Sequence, residues 1–412
     1  MQLTNWARNI TFTPSRFERP GRVEQIQELV AGADRVRVLG TGHSFSDIAA
    51  TDGLLLSLAA LPLTVDIDRA SSTVLVSAGA RFGDLMGPLD DAGLALHNTG
   101  SLPHISVAGA CATATHGSGS GNGCLATAVV EATLVGPDGS LRTIREGDAD
   151  FDGSVVALGL LGVITSLRLR VLPSYQIRQF VYDDLPFDAL VGNFDEVMDA
   201  AYSVSAFTHW REPVIEMVWR KQLASADAPP PEWLGARLAD GPRHPIRGMP
   251  TDYATEQLGV PGPWSARLPH FRLEFTPSNG DELQTEYLLP RAQAVDALKA
   301  LDAVRAQVAP ALQVCEIRAV AEDRLWLSPA YGRPTVALHF TWVEDMGAAA
   351  PAVAAVERAL EGFEARPHWG KVFGMARDRV RSMYPRLLDF EALVLRVDPE
   401  RKFPNAFTER YL

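Results

Sequence analysis

The chain has 412 residues, 47% hydrophobic and 21% charged, a balance that is ordinary for a globular protein but too long for a single core, so two domains are expected. Its formal net charge of -12 disfavours nucleic acid or an anionic membrane as partner, because phosphates are repelled. Cys111, Cys124 and Cys315 lack metal-type spacing, and their odd number argues against a disulfide framework, so they read as buried free thiols in a reducing compartment.

In chain order, Met1 to Trp6 lacks the basic start and apolar run of a signal peptide. Residues 22–31 carry apolar side chains at helical spacing, and Val36-Arg37-Val38-Leu39 reads as a short strand. That strand runs into Gly40-Thr41-Gly42-His43-Ser44-Phe45, where paired glycines admit positive φ and let backbone N–H groups approach an anion. A histidine held there lies against whatever the loop binds, although an ordinary turn with a surface histidine has the same sequence. Residues 54–56, 63–67 and 73–76 are strand-like, and residues 80–92 are helical. From Thr99 to Gly123 small residues dominate, a composition able to wrap a large ligand with backbone amides and hydroxyls. The segment is neither a Walker loop nor a dinucleotide fingerprint, and Ile105, Val107 and its threonines argue against a solvated tether. Residues 129–135 and 141–144 flank Pro137-Asp138-Gly139 as a hairpin, and residues 162–169 form another strand. The longest apolar run, near residues 155–164, is too short to span a bilayer, so the expectation is a soluble, cytoplasmic protein. Irregular alternation of this kind is α+β rather than regularly doubly wound.

A second domain is expected from near Tyr175. It holds a strand-like run at 214–219, a loop rich in Ala, Pro and Asp at 224–250, and strand candidates at 270–275, 312–320 and 335–343. Ala-rich helices are expected at 291–308 and 348–365. Strand alternation puts Glu316 and Arg318 on one face and Cys315 and Ile317 on the other; likewise His339 and Thr341 oppose Leu338, Phe340 and Trp342. The apolar faces are expected beneath the helices, leaving the polar faces to look into a cleft. A lone Glu-x-Arg usually faces water, but two such strands with Lys371 in a Trp-Gly-Lys turn and Gln284 on Leu283 to Tyr287 point to a site. Such a mixture of donors and acceptors suits a ligand with a hydroxyl on every carbon. No histidine pair has ligand spacing, so no metal is expected; His104 and His116 read as backbone-positioning residues, and His97, His209, His244 and His270 receive no role.

These segments, with Asn5-Trp6, Ser101-Leu102-Pro103-His104-Ile105-Ser106, His368-Trp369-Gly370-Lys371 and the tail Asp398-Pro399 to Phe403-Pro404-Asn405-Ala406-Phe407, resemble the alditol oxidases among the vanillyl-alcohol oxidase type flavoproteins. The resemblance follows the family's order along essentially the whole chain. It implies an α+β fold of an FAD-binding domain (1–174), a sheet-plus-helices substrate or cap domain (175–370) and a segment (371–412) returning to the first domain near the flavin. It implies FAD bonded covalently through a ring nitrogen of His43 to the 8α-methyl carbon. Leu39, Gly40, Thr41, Gly42, Ser44, Phe45, Ser101, Ser106, Gly109, Thr113, Ala114, Thr115, His116, Val163 and His368 are implied to line the cofactor. Ser101, Gln284, Glu316, Arg318, His339, Thr341 and Lys371 are implied to surround the substrate.

The implied reaction moves hydride from the terminal carbon of an alditol such as xylitol or sorbitol to flavin N5, with O₂ reduced to H₂O₂. His339 or Lys371 is the implied proton acceptor, Arg318 would stabilise alkoxide character, and Glu316 would accept from the C2 hydroxyl. Gly100 would leave room for O₂ or else meet a need for positive φ. The partners implied are the polyol and O₂, with no nucleic acid, membrane or obligatory protein partner. A sugar-1,4-lactone oxidase or dehydrogenase of the same fold, or a flavin-binding protein without turnover, are the alternatives.

Overall fold

Three sheets of three or more strands, besides a two-stranded pairing of Leu94–Ala95 with Leu172–Pro173, organise the residues described by the computed structural model, 2–274 and 281–412. Arg16–Glu18, Leu54–Ser57 and Val36–Leu39 form a small parallel sheet with Leu54–Ser57 in the centre. The helix Val23–Ala31 lays Ile26 and Val30, one turn apart on one face, into a core with Val36, Leu54 and Leu56. A five-stranded antiparallel sheet follows, in the order Val65–Asp68, Thr73–Ser77, Val163–Arg170, Val129–Val135, Leu141–Arg145. The hairpin expected from the Pro-Asp-Gly signal is present, with Val135 opposite Leu141.

The third sheet is antiparallel and has ten strands. Its central order is Gln176–Pro186, Val214–Leu223, Ser203–Thr208, Leu312–Val320, Thr335–Val343, Glu282–Pro290. The strands expected at 312–320 and 335–343 have those bounds. Cys315, Ile317, Leu338, Phe340 and Trp342 are buried in one core with Ala297, Leu298 and Leu301 of the helix Ala294–Ala303 and Ala352 and Val356 of the helix Met346–Ala359. Full burial of a side chain such as Phe340 contributes about 1.5–3 kcal/mol. The opposite face of these strands is thereby turned toward the first domain's loops.

Three sequence expectations change. Residues 270–274 form no strand; Phe271 makes only an isolated bridge to Ala254, and Phe275 lies outside the described residues. The amides of His270 and Phe271 instead both donate to the Ser101 carbonyl, at 3.0 and 3.3 Å, so they are unavailable to a ladder. The helix expected at 291–308 is broken at Val304 into Ala294–Ala303 and Arg305–Val308. The helix expected at 348–365 starts earlier, at the Asp345 cap whose carboxylate accepts from the Gly347 amide at 2.8 Å, and ends at Ala359.

The small-residue segment is tied to the third sheet as well as to its own surroundings. Gly119 bridges Val320 and donates to the Ala319 carbonyl at 2.8 Å, while Ala321 donates to the Asn122 carbonyl at 2.9 Å. The Asn122 side chain reaches the Tyr202 carbonyl at 3.1 Å. The C-terminal run is held to the first sheets in a similar way. Asp398 accepts the amides of Lys402 and Phe403, both at 2.9 Å, and Asn405 donates to the carbonyls of Asp47, Ile48 and Ala50. Buried Arg37 donates to the Phe403 carbonyl at 3.0 Å, the Leu158 carbonyl at 2.8 Å and the Ile48 carbonyl. Among the described residues no helix is long and apolar enough to cross a membrane, and the three cysteines are free and buried.

Candidate active site

The strand Val36–Leu39 ends in a turn that Gly42 closes at φ +74°. The turn is fastened to the small-residue segment by the Thr41 hydroxyl, which accepts from the Ser106 amide at 3.1 Å. Contact there is close enough that a Cβ on either Gly40 or Gly109 would collide with the Ser106 hydroxyl. His43 stacks on Trp6 with ring centroids 5.6 Å apart and 16° between planes. Its Nδ1 lies 3.0 Å from Thr41 Oγ1, whereas Nε2 is buried with no partner. Burial brings its pKa down to about 4, so the imidazole is neutral.

Register aligns the polar face of the third sheet. Glu316, His339 and Glu286 sit directly opposite one another on three neighbouring strands, and Gln284 sits opposite Thr341. Arg318 shares the face of Glu316, two residues on, and donates from Nη2 to Glu286 Oε1 at 2.5 Å. Its Nε is 3.7 Å from Glu316 Oε1. Glu286 also lies 3.2 Å from His116 Nε2 and 3.4 Å from His339 Nδ1. Burial alone would raise the Glu286 carboxyl, but Arg318, His116 and His339 together hold it well below the usual carboxylate range. Glu316 is likewise buried, and Arg318 and His270 overcome that burial and keep it ionised. Two carboxylates in turn outweigh desolvation of the Arg318 guanidinium and raise its pKa.

Two basic nitrogens stand next to this cluster. Burial lowers the Lys371 ammonium to about 8 against the opposing pull of Glu286. Its Nζ donates to Gln284 Oε1 and lies 5.0 Å above the Phe45 ring. Burial also lowers His339, again against Glu286, so it is neutral near pH 7. His368 accepts the Gly370 amide on Nδ1 at 3.0 Å, lies 3.5 Å from Thr115 Oγ1 through Nε2, and is brought down to about 3 by burial.

The His43 turn, the small-residue segment and the sheet face enclose one cavity of about 310 Å³. Leu39, Gly40, Thr41, Gly42, His43, Ser44 and Phe45 line it on one side. Ser101, Ser106, Gly109, Thr113, Thr115, His116 and His368 continue the wall, and Gln284, Glu316, Arg318, His339 and Lys371 close it. Three expected residues do not line it. Val163 points into the core with Ile26 and Val36, between Gly162 and Ile164, which do line it. Ala114 is buried in a left-handed turn at φ +53°, and Thr341 stands behind His339, its hydroxyl 3.4 Å from Nε2. Glu286 lines the cavity and has no role in the sequence reading, although it stands two residues from Gln284 and so on the same face of the strand. His270, also without a role in the sequence, donates to Glu316 from inside the protein, and no motif announces it.

A family model for an FAD binding domain matches residues 14–145, and one for D-arabinono-1,4-lactone oxidase matches residues 280–411. The chain is 50% identical to an alditol oxidase of Streptomyces sp., covering 98% of this chain and 97% of that protein. It is 29% identical to an L-gulono-1,4-lactone dehydrogenase of Mycobacterium tuberculosis, covering 99% of this chain and 98% of that one. In fold it matches a solvent-stable cholesterol oxidase with a TM-score of 0.80 at 16% identity, over 100% of this chain and 97% of that chain. The cavity fits FAD on its own features: close-packed glycines that bring the backbone to its wall, and a buried, neutral His43 nitrogen lacking any protein partner.

Proposed function

The chain belongs to the alditol oxidase family of vanillyl-alcohol oxidase type flavoproteins, and from that premise we propose that it oxidises the terminal hydroxyl of an alditol such as xylitol or sorbitol to the aldose, with O₂ reduced to H₂O₂. The observation that carries this reading is the convergence of Glu316, Arg318, His339 and Lys371 on the cavity that also holds His43. FAD, when bound, supplies the two-electron acceptor for the carbinol hydride and the route for those electrons to O₂.

The chain's own groups do the rest. Glu316, kept ionised, accepts a hydrogen bond from the C2 hydroxyl and sets the register of the polyol. Arg318 stays charged and stabilises negative charge developing on the reacting oxygen. The proton leaving that oxygen goes to His339 or Lys371, both beside the Glu286 carboxylate, which favours a newly protonated neighbour. Ser101 and Gln284 offer further polar groups to the remaining hydroxyls, and Thr341 acts through His339. Leu39 to Phe45, Ser106, Gly109, Thr113, Thr115, His116 and His368 are the proposed cofactor wall, with Ala114 and Val163 in the chain segments beside it.

We further propose that FAD is bonded covalently through His43, a reading supported by its neutral ring and unpartnered nitrogen. The division into 1–174, 175–370 and 371–412 is proposed on the same basis, with each sheet built wholly from one of the first two segments apart from short pairings. Three buried free thiols support a cytoplasmic location.

Anaerobic addition of xylitol or sorbitol should bleach the visible flavin band, and air should restore it with release of H₂O₂. A second reading, a sugar-1,4-lactone oxidase or dehydrogenase, is favoured by the family model matched over residues 280–411. Bleaching by L-gulono-1,4-lactone with polyols inert would establish that reading instead. A yellow protein bleached by neither class would be a flavin binder without turnover.

A further inference from the structure

Beside Glu316 lies a buried chain of polar groups that does not line the cavity and that none of the proposed steps uses. His270 is 6% exposed and donates from Nε2 to Glu316 Oε1 at 2.9 Å. On its other side His270 Nδ1 is 3.3 Å from Nζ of Lys221, a lysine only 1% exposed. Lys221 Nζ also donates to the carbonyls of Leu268 and Pro269, at 2.5 and 2.9 Å. Its three donors thus meet three acceptors, and nothing else is needed to satisfy it. Aromatic rings fix the imidazole plane: Trp219 and Phe207 flank it with centroids 5.1 and 5.8 Å away.

The direction of these hydrogen bonds is determined by chemistry. An ionised Glu316 can only accept, so His270 Nε2 must carry the proton. A neutral His270 then presents a bare Nδ1, which matches the lysine donor facing it. Burial lowers the Lys221 ammonium to about 7 against the opposing pull of Glu316, a cost that its three acceptors offset. Nothing else in the site holds Glu316 Oε1 so closely, since Arg318 Nε stands 3.7 Å away.

We propose that Lys221 and His270 are positioning residues for Glu316: Lys221 anchors the His270 ring by donating to Nδ1, and His270 holds one carboxylate oxygen so that the other is presented to a substrate hydroxyl. The inference rests on the assignment of Glu316 to the substrate, and its test separates the two. Histidine labelled with ¹⁵N reports by NMR which ring nitrogen bears the proton, without turnover. Wild-type protein should show His270 protonated on Nε2 only, and Lys221→Met should leave that proton in place while shifting the Nδ1 resonance, because its donor is lost. A proton on Nδ1 overturns the proposal whatever the substrate.

The kinetic arm uses flavin reduction by xylitol in stopped flow, with flavin content and melting temperature as folding controls. His270→Phe should slow reduction about tenfold or more, and His270→Gln, whose amide can replace the Nε2 donor, should recover most of that loss. In a Glu316→Gln background the His270→Phe effect should largely vanish, because the two substitutions break one chain. Wild-type rates in His270→Phe, or an effect of equal size in both backgrounds, overturn the proposal. Should His270→Phe fail to fold, Lys221→Met replaces it, and an unchanged reduction rate in that variant is equally decisive against. Wild-type protein not reduced by any polyol would sink the functional reading and leave the NMR arm standing.

Discussion

His43 combines a stacked ring, a pKa brought down by burial to about 4 and a buried nitrogen without a partner. If that nitrogen is bonded to the cofactor, acid-precipitated protein stays yellow, and His43→Ala releases its flavin to the supernatant. Colourless wild-type precipitate would end the covalent reading. Gly100 has no positive φ, so the expectation of a backbone requirement is set aside. A Cβ there would meet Ile105 Cδ1 at 3.2 Å, close enough to require a small adjustment. Gly100→Ala and then Gly100→Val should progressively slow reoxidation of the reduced enzyme by O₂ while affecting polyol reduction less, as followed by stopped flow. The pH profile assigns the proton. With Lys371 as acceptor, flavin reduction rises as pH passes through about 8, where its ammonium deprotonates, and Lys371→Met flattens the rise. With His339 as acceptor the profile is level across that range, since burial keeps it neutral there. At this scale Glu316, Arg318, His339 and Lys371 were legible because alternation and turn chemistry are local. Glu286, two residues from Gln284 on one strand, was open to the same alternation, whereas His270 was not legible, since its partners come from distant strands and loops and only folding brings them together.

Strands that pack one apolar face under helices announced themselves, and Leu312–Val320 and Thr335–Val343 were readable to the residue. Gln176–Pro186, Ser203–Thr208 and Glu282–Pro290 were not. Their polar side chains, among them Gln179, Ser205 and Glu286, are buried rather than exposed, so the hydrophobic alternation that signals a strand is lost. Conversely, residues 270–274 had a strand-like composition, but the amides of His270 and Phe271 go to a loop carbonyl. Phe340 tests the apolar side of the sheet. It is fully buried and stacked on Trp342, 5.4 Å between centroids and 8° between planes. Phe340→Ala should cost about 3–5 kcal/mol in urea unfolding, with flavin attachment intact in the fraction that folds. A loss under 1 kcal/mol would show that this core relaxes around the cavity.

Across the whole molecule, Arg37 joins three distant stretches of chain through the carbonyls of Ile48, Leu158 and Phe403. Arg37→Leu leaves all three without that donor and should lower stability by about 3 kcal/mol or more, read as a fall in melting temperature. Because the substitution acts at the C-terminal run, limited proteolysis should cut first near residues 398–405. Wild-type melting behaviour would mean that water replaces the guanidinium. The ties between the small-residue segment and the third sheet have a different consequence, for modular exchange. Gly119 and Asn122 are hydrogen-bonded to Ala319 and Ala321 at the end of the strand Leu312–Val320, and Ser101 to His270 in a loop, so the proposed cofactor wall is stitched to the sheet proposed to face the substrate. A chimaera that grafts the substrate sheet of one relative onto the flavin-binding part of another would sever those stitches at sites chosen only by sequence domain boundaries. Transplanting residues 98–123 together with the sheet preserves them, and that longer graft is the unit in which substrate preference should travel.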